Sequence, residues 1–327
     1  MDASTRVRPS RALSKWVASL WAVLARGAGA MLVLVVLSTL VFLALRLLPG
    51  DPATLILGDQ ASAAARALLR ARLGLDQPLL IQYFKFWRGL LQLDLGESLS
   101  KPGAPALLLV GRAFAPTASL AAVAVLLGAV LGVALAVVSV GPWLGRAKDW
   151  VHRLILGLAA TPLLAFAPLF TFLFAVHWRI VPLPGDPDSG LAGLLFASAL
   201  LGLPLAAQVA RIGRAALLMH AREKFLDVAR AKGASPLRVW LLHALPVSFP
   251  AVFVVIAAQL GALLGGAVVL ERLFERPGLG TLMLNAYAAR DIPVLEGAVL
   301  AAGTLFVIVQ AAAGAINAWI DPRGEQS

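Results

Sequence analysis

A chain of 327 residues with 60% hydrophobic and only 14% charged side chains, at a mean hydropathy of +0.86, is too apolar for a water-soluble globule and falls among integral membrane proteins. Its formal charge of +11 invites a nucleic-acid surface, but the Lys and Arg are confined to a few short segments between apolar runs, which excludes that class. With no cysteine and only His152, His177, His220 and His243, none at a ligand spacing, neither a disulfide framework nor a metal site is expected.

In chain order, residues 1–26 form a basic N-terminal segment, with Arg6, Arg8, Arg11, Lys15 and Arg26 against Asp2. Stretches free of Asp, Glu, Lys and Arg follow at 27–45, 113–145, 154–178, 189–210, 239–270 and 297–320. Each has the roughly 20 residues that cross about 30 Å of hydrocarbon. Residues 27–48 are expected as a retained first transmembrane helix, because no small-residue cleavage site follows them. Two further basic segments, Arg146, Lys148 and Arg153 within 141–153 and seven Lys or Arg within 211–246, alternate with the spans as positive-inside bias requires. Both termini, including a tail at 321–327, are therefore expected in the cytoplasm.

Residues 49–112 become an external segment with structure of its own. Ala61 to Leu73 and Leu79 to Leu93 read as amphipathic helices broken at Gly74–Pro78. Tyr83, Phe84 and Trp87 suit either an anchor in the headgroup region or contact with a docking partner. Residues 113–320 supply a core of five further transmembrane helices, with Pro162, Pro168 and Pro204 expected to kink the third and fourth spans.

No ionisable residue lies near the middle of an apolar stretch, which disfavours a proton- or sodium-coupled carrier or channel. The neutral polar residues there, among them Thr161, Gln208, Gln259 and Gln310, suit interhelical hydrogen bonding or a pathway lining. A membrane-embedded enzyme is disfavoured because no catalytic nucleophile has a base at membrane depth. Nor is there a phosphate-binding GxxxxGK[ST] loop, so any nucleotide-derived work must enter from another polypeptide.

The place for it to enter is the loop 211–246, within which Glu223–Pro246 reads EKFLDVARAKGASPLRVWLLHALP. At 100° per residue Phe225, Val228, Ala229 and Lys232 share one face of a short helix, opposite Glu223, Asp227 and Arg230. Gly233 stops that helix, and Ser235 with Pro236 caps and starts a second one running into the next span. A helix on a tight elbow is built to be gripped.

The elbow resembles the signature of binding-protein-dependent ABC importer permeases: Glu-Ala-Ala, three residues, Gly, nine residues, Ile, one residue, Leu-Pro. Asp227, Val228 and Ala229 occupy the first three positions, Gly233 follows, His243 replaces Ile, and Leu245-Pro246 closes. The ARAKG core, Ala229 to Gly233 with Ala231 and Lys232 inside it, is similar to the dipeptide, oligopeptide and nickel class. Further landmarks resemble its larger-external-loop subunit: LRLLPGDP (Leu45 to Pro52), LGLDQPLLIQY (Leu73 to Tyr83), DLGESL (Asp94 to Leu99), PGLG (Pro277 to Gly280), RDIPVLEG (Arg290 to Gly297) and Asp321-Pro322-Arg323. PGLG also suits a plain tight turn, and LPGDP a plain helix stop. Leu93 departs where Gly commonly precedes DLG, and so does PVSFP at Pro246 to Pro250.

The resemblance implies an all-α, six-helix type I ABC importer permease of a bacterial inner membrane, with no catalytic residue of its own. It also implies a second permease subunit in a heterodimer, two cytoplasmic ATPases holding ATP and Mg, and an external binding protein delivering a peptide, nickel, glutathione or a related solute. The coupling residues would be Glu223, Phe225, Asp227, Val228, Ala229, Ala231, Lys232, Gly233, Ser235, Pro236, His243, Leu245 and Pro246.

Overall fold

The computed structural model of the chain describes residues 11–46, 52–58 and 60–320, and it divides into two compact units, residues 1–48 and 49–327. In the first, Arg11–Arg46 is one 36-residue helix, α1, whose stretch Gly27–Ala44 is apolar enough to cross a membrane. Hydroxyls inside it are satisfied locally: Ser38 donates to Leu34 O and Thr39 to Val35 O. The positions Leu47 to Asp51 and the terminal Asp321-Pro322-Arg323 lie outside the described residues.

The second unit opens with short helices α2 (Pro52–Leu57), α3 (Ala63–Leu73) and α4 (Leu79–Leu91). Ser62 caps α3 by accepting the Ala65 N–H, and Gly74 ends it at φ +70°. The sequence pattern located both longer helices and the break between them; α2 begins at Pro52, where a helix stop was expected. Helix α4 ends with Leu93 at φ +55°, the Asp94 N–H returning to Gly89 O and the Leu93 N–H to Leu90 O. Leu93 thus occupies the left-handed position of a helix stop that glycine enters without penalty.

Long helices α5 (Ala106–Val140), α8 (Gly190–His220) and α13 (Ile292–Ile320) each span by length and apolarity, as does the run Pro236–Leu273. That run comprises α10 (Pro236–Arg238), a π-helical stretch Val239–Ala244 and α11 (Leu245–Leu273). The expected span 154–178 is different in kind. It is a pair, α6 (Ala147–Ala160) and α7 (Leu163–Thr171, extended by a π turn through His177), bent by 109° at Thr161-Pro162. Pro162 has no N–H to continue α6, so the proline expected to kink a span turns the chain sharply instead. Pro204 stays inside α8. Among the described residues five helices can cross, or six if the bent pair counts as one span.

The core is organised by α5 against α8. Small residues recur every four positions on α5, at Ala124, Gly128, Gly132 and Ala136, and the backbone of α8 lies directly on them. A Cβ on Gly128 would stand 2.7 Å from Gly202 O, and one on Gly202 would stand 2.6 Å from Ala124 O. Around this crossing Leu120, Leu201, Leu205, Val209, Val252, Leu263 and Leu270 form one buried cluster that draws in α11 and α13. A Cβ on Gly132 would lie 2.6 Å from Val209 Cβ and 2.7 Å from Ala206 O, so Gly132→Val must push the helices apart. We expect a loss of about 1–3 kcal/mol, read as a lower unfolding temperature in detergent, while Gly314→Ala, with open space around it, is neutral. Leu93→Gly, which relieves a left-handed leucine whose side chain is 69% exposed, is expected to raise stability by up to about 1 kcal/mol in the same assay.

Candidate functional site

Two ends of the second unit carry the sequence landmarks. At one end, α8 passes through Ala221 and Arg222 into α9 (Lys224–Ala231). Glu223 is its N-cap by backbone conformation, without a side-chain cap bond. The helix stops as the elbow pattern predicts. Gly233 stands at φ +79°, its N–H donates to Arg230 O, and the Ala234 N–H reaches back to Ala229 O. Ser235 Oγ then accepts the Arg238 N–H with Pro236 in the first turn, so the next helix starts where it was expected.

The buried edge of α9 takes one residue, Ala229, from the face that the spacing grouped and adds Leu226, which it did not single out. Leu226 is fully buried and Ala229 nearly so, both packed with Ala136, Val137, Leu217, Val239, Trp240 and Ala244. Phe225 and Val228 are 40% and 53% exposed and project away, with Glu223, Asp227, Ala231, Lys232, Gly233, Ser235 and Pro236 also exposed. Leu226 was missed because α9 carries apolar residues on two sides, and spacing alone does not say which side packs on its own chain. Asp227 pairs with Arg230 across one turn at 2.6 Å on the surface, a contact of little stabilising weight. His243, partly buried, faces Arg238 O with Nδ1 at 3.3 Å inside the π-helical stretch, and Leu245-Pro246 starts α11. Just ahead of the elbow the Arg214 guanidinium of α8 donates to Ser139 O in the last turn of α5, joining the two helices from which the elbow departs.

At the opposite end two buried carboxylates do the anchoring. Glu271, two residues before the end of α11, is 1% exposed. It accepts the Thr117 hydroxyl on one oxygen and the N–H groups of Gly280, at 2.7 Å, and Thr281, at 3.2 Å, on the other. Thr117 Oγ1 in turn accepts the Leu279 N–H at 2.8 Å. These are the open N–H groups of α12 (Leu279–Ala288), so PGLG starts a helix held on a carboxylate rather than forming a plain turn. The glycines are needed for close approach. A Cβ on Gly278 would stand 2.2 Å from the Glu271 carboxylate, and one on Gly280 2.5 Å from Val268 Cα.

Asp291, at 1% exposure, ties the landmark before α13 to the one after α4. It accepts the hydroxyls of Ser98 and Ser100 and the N–H groups of Leu99 and Ser100, at 3.1 Å each. Gly297 lies so close to Leu95 that a Cβ would stand 2.6 Å from its Cδ1. Thus DLGESL and RDIPVLEG, almost 200 residues apart, meet. Sequence reasoning passed over Glu271 because it falls just past an apolar stretch; its distance from PGLG was the available signal.

The four neutral polar residues are dispersed. Thr161 sits exposed at the α6–α7 bend and donates to Gly157 O at 2.8 Å; Gln208 on α8 accepts from Arg211 at 2.7 Å; Gln259 and Gln310 are partly buried on α11 and α13. A cavity of about 520 Å³ between α5, α11 and α13 is lined by residues such as Ala122, Phe253, Leu260, Ile308 and Ile316, and by none of these four. A second cavity, about 570 Å³, lies at the carboxylate-anchored end and presents Ser119, Asp186, Glu275 and Arg276.

Burial alone would raise the Asp291 carboxyl, but the hydrogen bonds from Ser98, Ser100 and the Leu99 and Ser100 amides outweigh it and hold the group below its ordinary value. A lowered native value stabilises the fold above the unfolded value of about 3.9, and that contribution disappears as pH falls through the native value. The gap in unfolding temperature between wild type and Asp291→Asn is therefore expected to be full at neutral pH and to close below about pH 4.

Comparison with known proteins places this architecture. Residues 124–326 match the family described as binding-protein-dependent transport system inner membrane component, and residues 20–129 match its N-terminal companion. A glutathione transport system permease protein of Salmonella paratyphi A is 36% identical over 308 residues, covering 92% of this chain and 97% of that protein. A putative peptide transport system permease protein of Brucella abortus is 34% identical over 314 residues, 92% of this chain and 98% of its own. Among solved structures the MetNI methionine ABC transporter, in inward-facing conformations, aligns with a TM-score of 0.52 at 20% identity over 66% of this chain and 97% of the matched one, which supports the fold. The bundle, the elbow and the family matches agree: the chain belongs to the binding-protein-dependent transport system inner membrane components, the permease subunits of ABC importers, and is a transporter component rather than an enzyme.

Proposed function

We propose that the elbow is the point at which this permease receives mechanical work. Helix α9, through Phe225, Val228, Asp227 and Lys232, docks in a groove of a cytoplasmic ATPase, which holds the ATP and Mg. Two such ATPases and a second, different permease complete the machine, and an external binding protein delivers the solute. The basic segments and both termini of this chain face the cytoplasm, in keeping with their Lys and Arg excess.

The observation that carries this reading is the division of apolar residues on α9. Leu226 and Ala229 root the helix in one cluster with Trp240 and Ala244, while Phe225 and Val228 remain outside with no partner to cover them among the described residues. Gly233 and the Ser235-Pro236 cap hold the angle between α9 and the run into α11, so displacement of α9 moves that run as a rigid body. The solute is a peptide or a small peptide-like molecule such as glutathione, in line with the relatives' names. The cavity holding Arg276 beside Asp186 and Glu275 offers both signs of charge to such a zwitterion.

Nothing crowds the space beside Gly233, so a substitution there acts through its left-handed backbone and through added charge. Gly233→Asp, reconstituted in vesicles with its partners, is expected to remain in the membrane and to lose ATP-driven uptake at least tenfold. Wild-type vesicles depleted of ATP but holding a proton gradient are expected to take up nothing. Normal transport by the variant would remove the coupling role, and uptake without ATP would favour a secondary carrier.

A further inference from the structure

Beside the elbow lies a cavity of about 400 Å³ that the coupling reading does not use. It is lined by Val140, Gly141 and Pro142 at the end of α5, Lys148 at the start of α6, Arg230 of α9, and Ala234, Pro236, Val239 and Trp240 of the elbow and the run that follows. Its floor is apolar, since Val239 and Trp240 are buried. Its polar lining is cationic. Lys148 makes no ion pair among the described residues, and Arg230 gives only one of its nitrogens to Asp227. The neighbouring charges are Arg146, Asp149 and Arg153 on the α6 side and Asp227, Lys232 and Arg238 on the elbow side, so the surroundings stay net positive.

The position of the cavity selects the ligand. It opens where α5 ends and α6 begins, at the edge of the apolar stretches, and tryptophans mark that level. Trp143 stacks on Gly141, whose Cβ position its ring would occupy, and is 41% exposed. Trp150 is 71% exposed with the Arg153 guanidinium 5.0 Å above its ring. One turn further along α6, Leu154 and Leu156 are exposed at 56% and 44%, an apolar flank for acyl chains. A basic pocket at this depth, with tryptophans beside it and exposed leucines below it, fits a phosphate that carries hydrocarbon.

We propose that this cavity binds the phosphodiester headgroup of an anionic phospholipid, with Lys148 and Arg230 as its cations and the acyl chains lying along α6. The headgroup then bridges the start of α6 to α9 across the cavity. Binding itself does not depend on the coupling reading; its consequence, an elbow stiffened by lipid and a transporter that works faster in anionic membranes, does.

The test uses the full-length permease in its complex, released from bilayers of phosphatidylglycerol with phosphatidylcholine, and counts retained phosphatidylglycerol by native mass spectrometry. Wild type is expected to retain phosphatidylglycerol about fivefold more tightly than Lys148→Gln, the weight of one interfacial cation, and Lys148→Arg to restore it. Equal retention by wild type and Lys148→Gln would overturn the proposal. So would displacement of the lipid by inorganic phosphate at matching concentration, which marks a site for free anions. If retention follows the prediction but ATPase activity of the complex ignores phosphatidylglycerol, the lipid site stands and the coupling reading is the part that fails.

Discussion

The second unit depends on one close contact, the crossing of α5 and α8 at Gly128, Gly132 and Gly202, where backbones approach too closely for a Cβ. In a membrane, apolar side chains gain little by leaving lipid for each other, so helices associate through contacts that lipid cannot match. Backbone against backbone is such a contact. It allows the large residues around it, Leu120, Leu201, Leu205 and Val209, to close over the crossing, and α11 and α13 pack on the result.

From that crossing the two ends are built differently, and the difference suits a transporter driven from one side. At one end Glu271 and Asp291, both buried, collect hydrogen bonds from the hydroxyls of Thr117, Ser98 and Ser100 and from four backbone N–H groups, those of Leu99, Ser100, Gly280 and Thr281. A buried carboxylate is costly unless every such bond is kept, which makes these joints all-or-none. At the other end the joint is a helix on a left-handed glycine, rooted by Leu226 and Ala229 and leaving Phe225 and Val228 bare. One end is pinned by buried carboxylates; in the proposed coupling the other passes displacement into the Pro236–Leu273 run.

Much of this was legible in the residues. The elbow's stop and restart were written in Gly233, Ser235 and Pro236, because those residues act locally. The break at Gly74 was legible for the same reason. DLGESL, PGLG and RDIPVLEG could be recognised as landmarks, but not as three parts of two joints, since their meeting depends on Glu271 and Asp291 across distances that no local pattern encodes. That Leu226 roots α9 was not legible, because hydrophobicity does not distinguish a residue that packs inside its own chain from one left at the surface. Pro162 announced a disruption without its size, a 109° turn rather than a kink. The four-residue recurrence from Ala124 to Ala136 was present to be read and passed unremarked.

The central claim is that α9 is rooted on one side and gripped on the other. Because the chain has no native cysteine, single introduced thiols report on each side separately. Val228→Cys should react readily with a maleimide in the isolated permease and become protected when the ATPase is bound, while Leu226→Cys should be unreactive in both. A Val228→Cys thiol equally reactive with and without the ATPase would contradict the account.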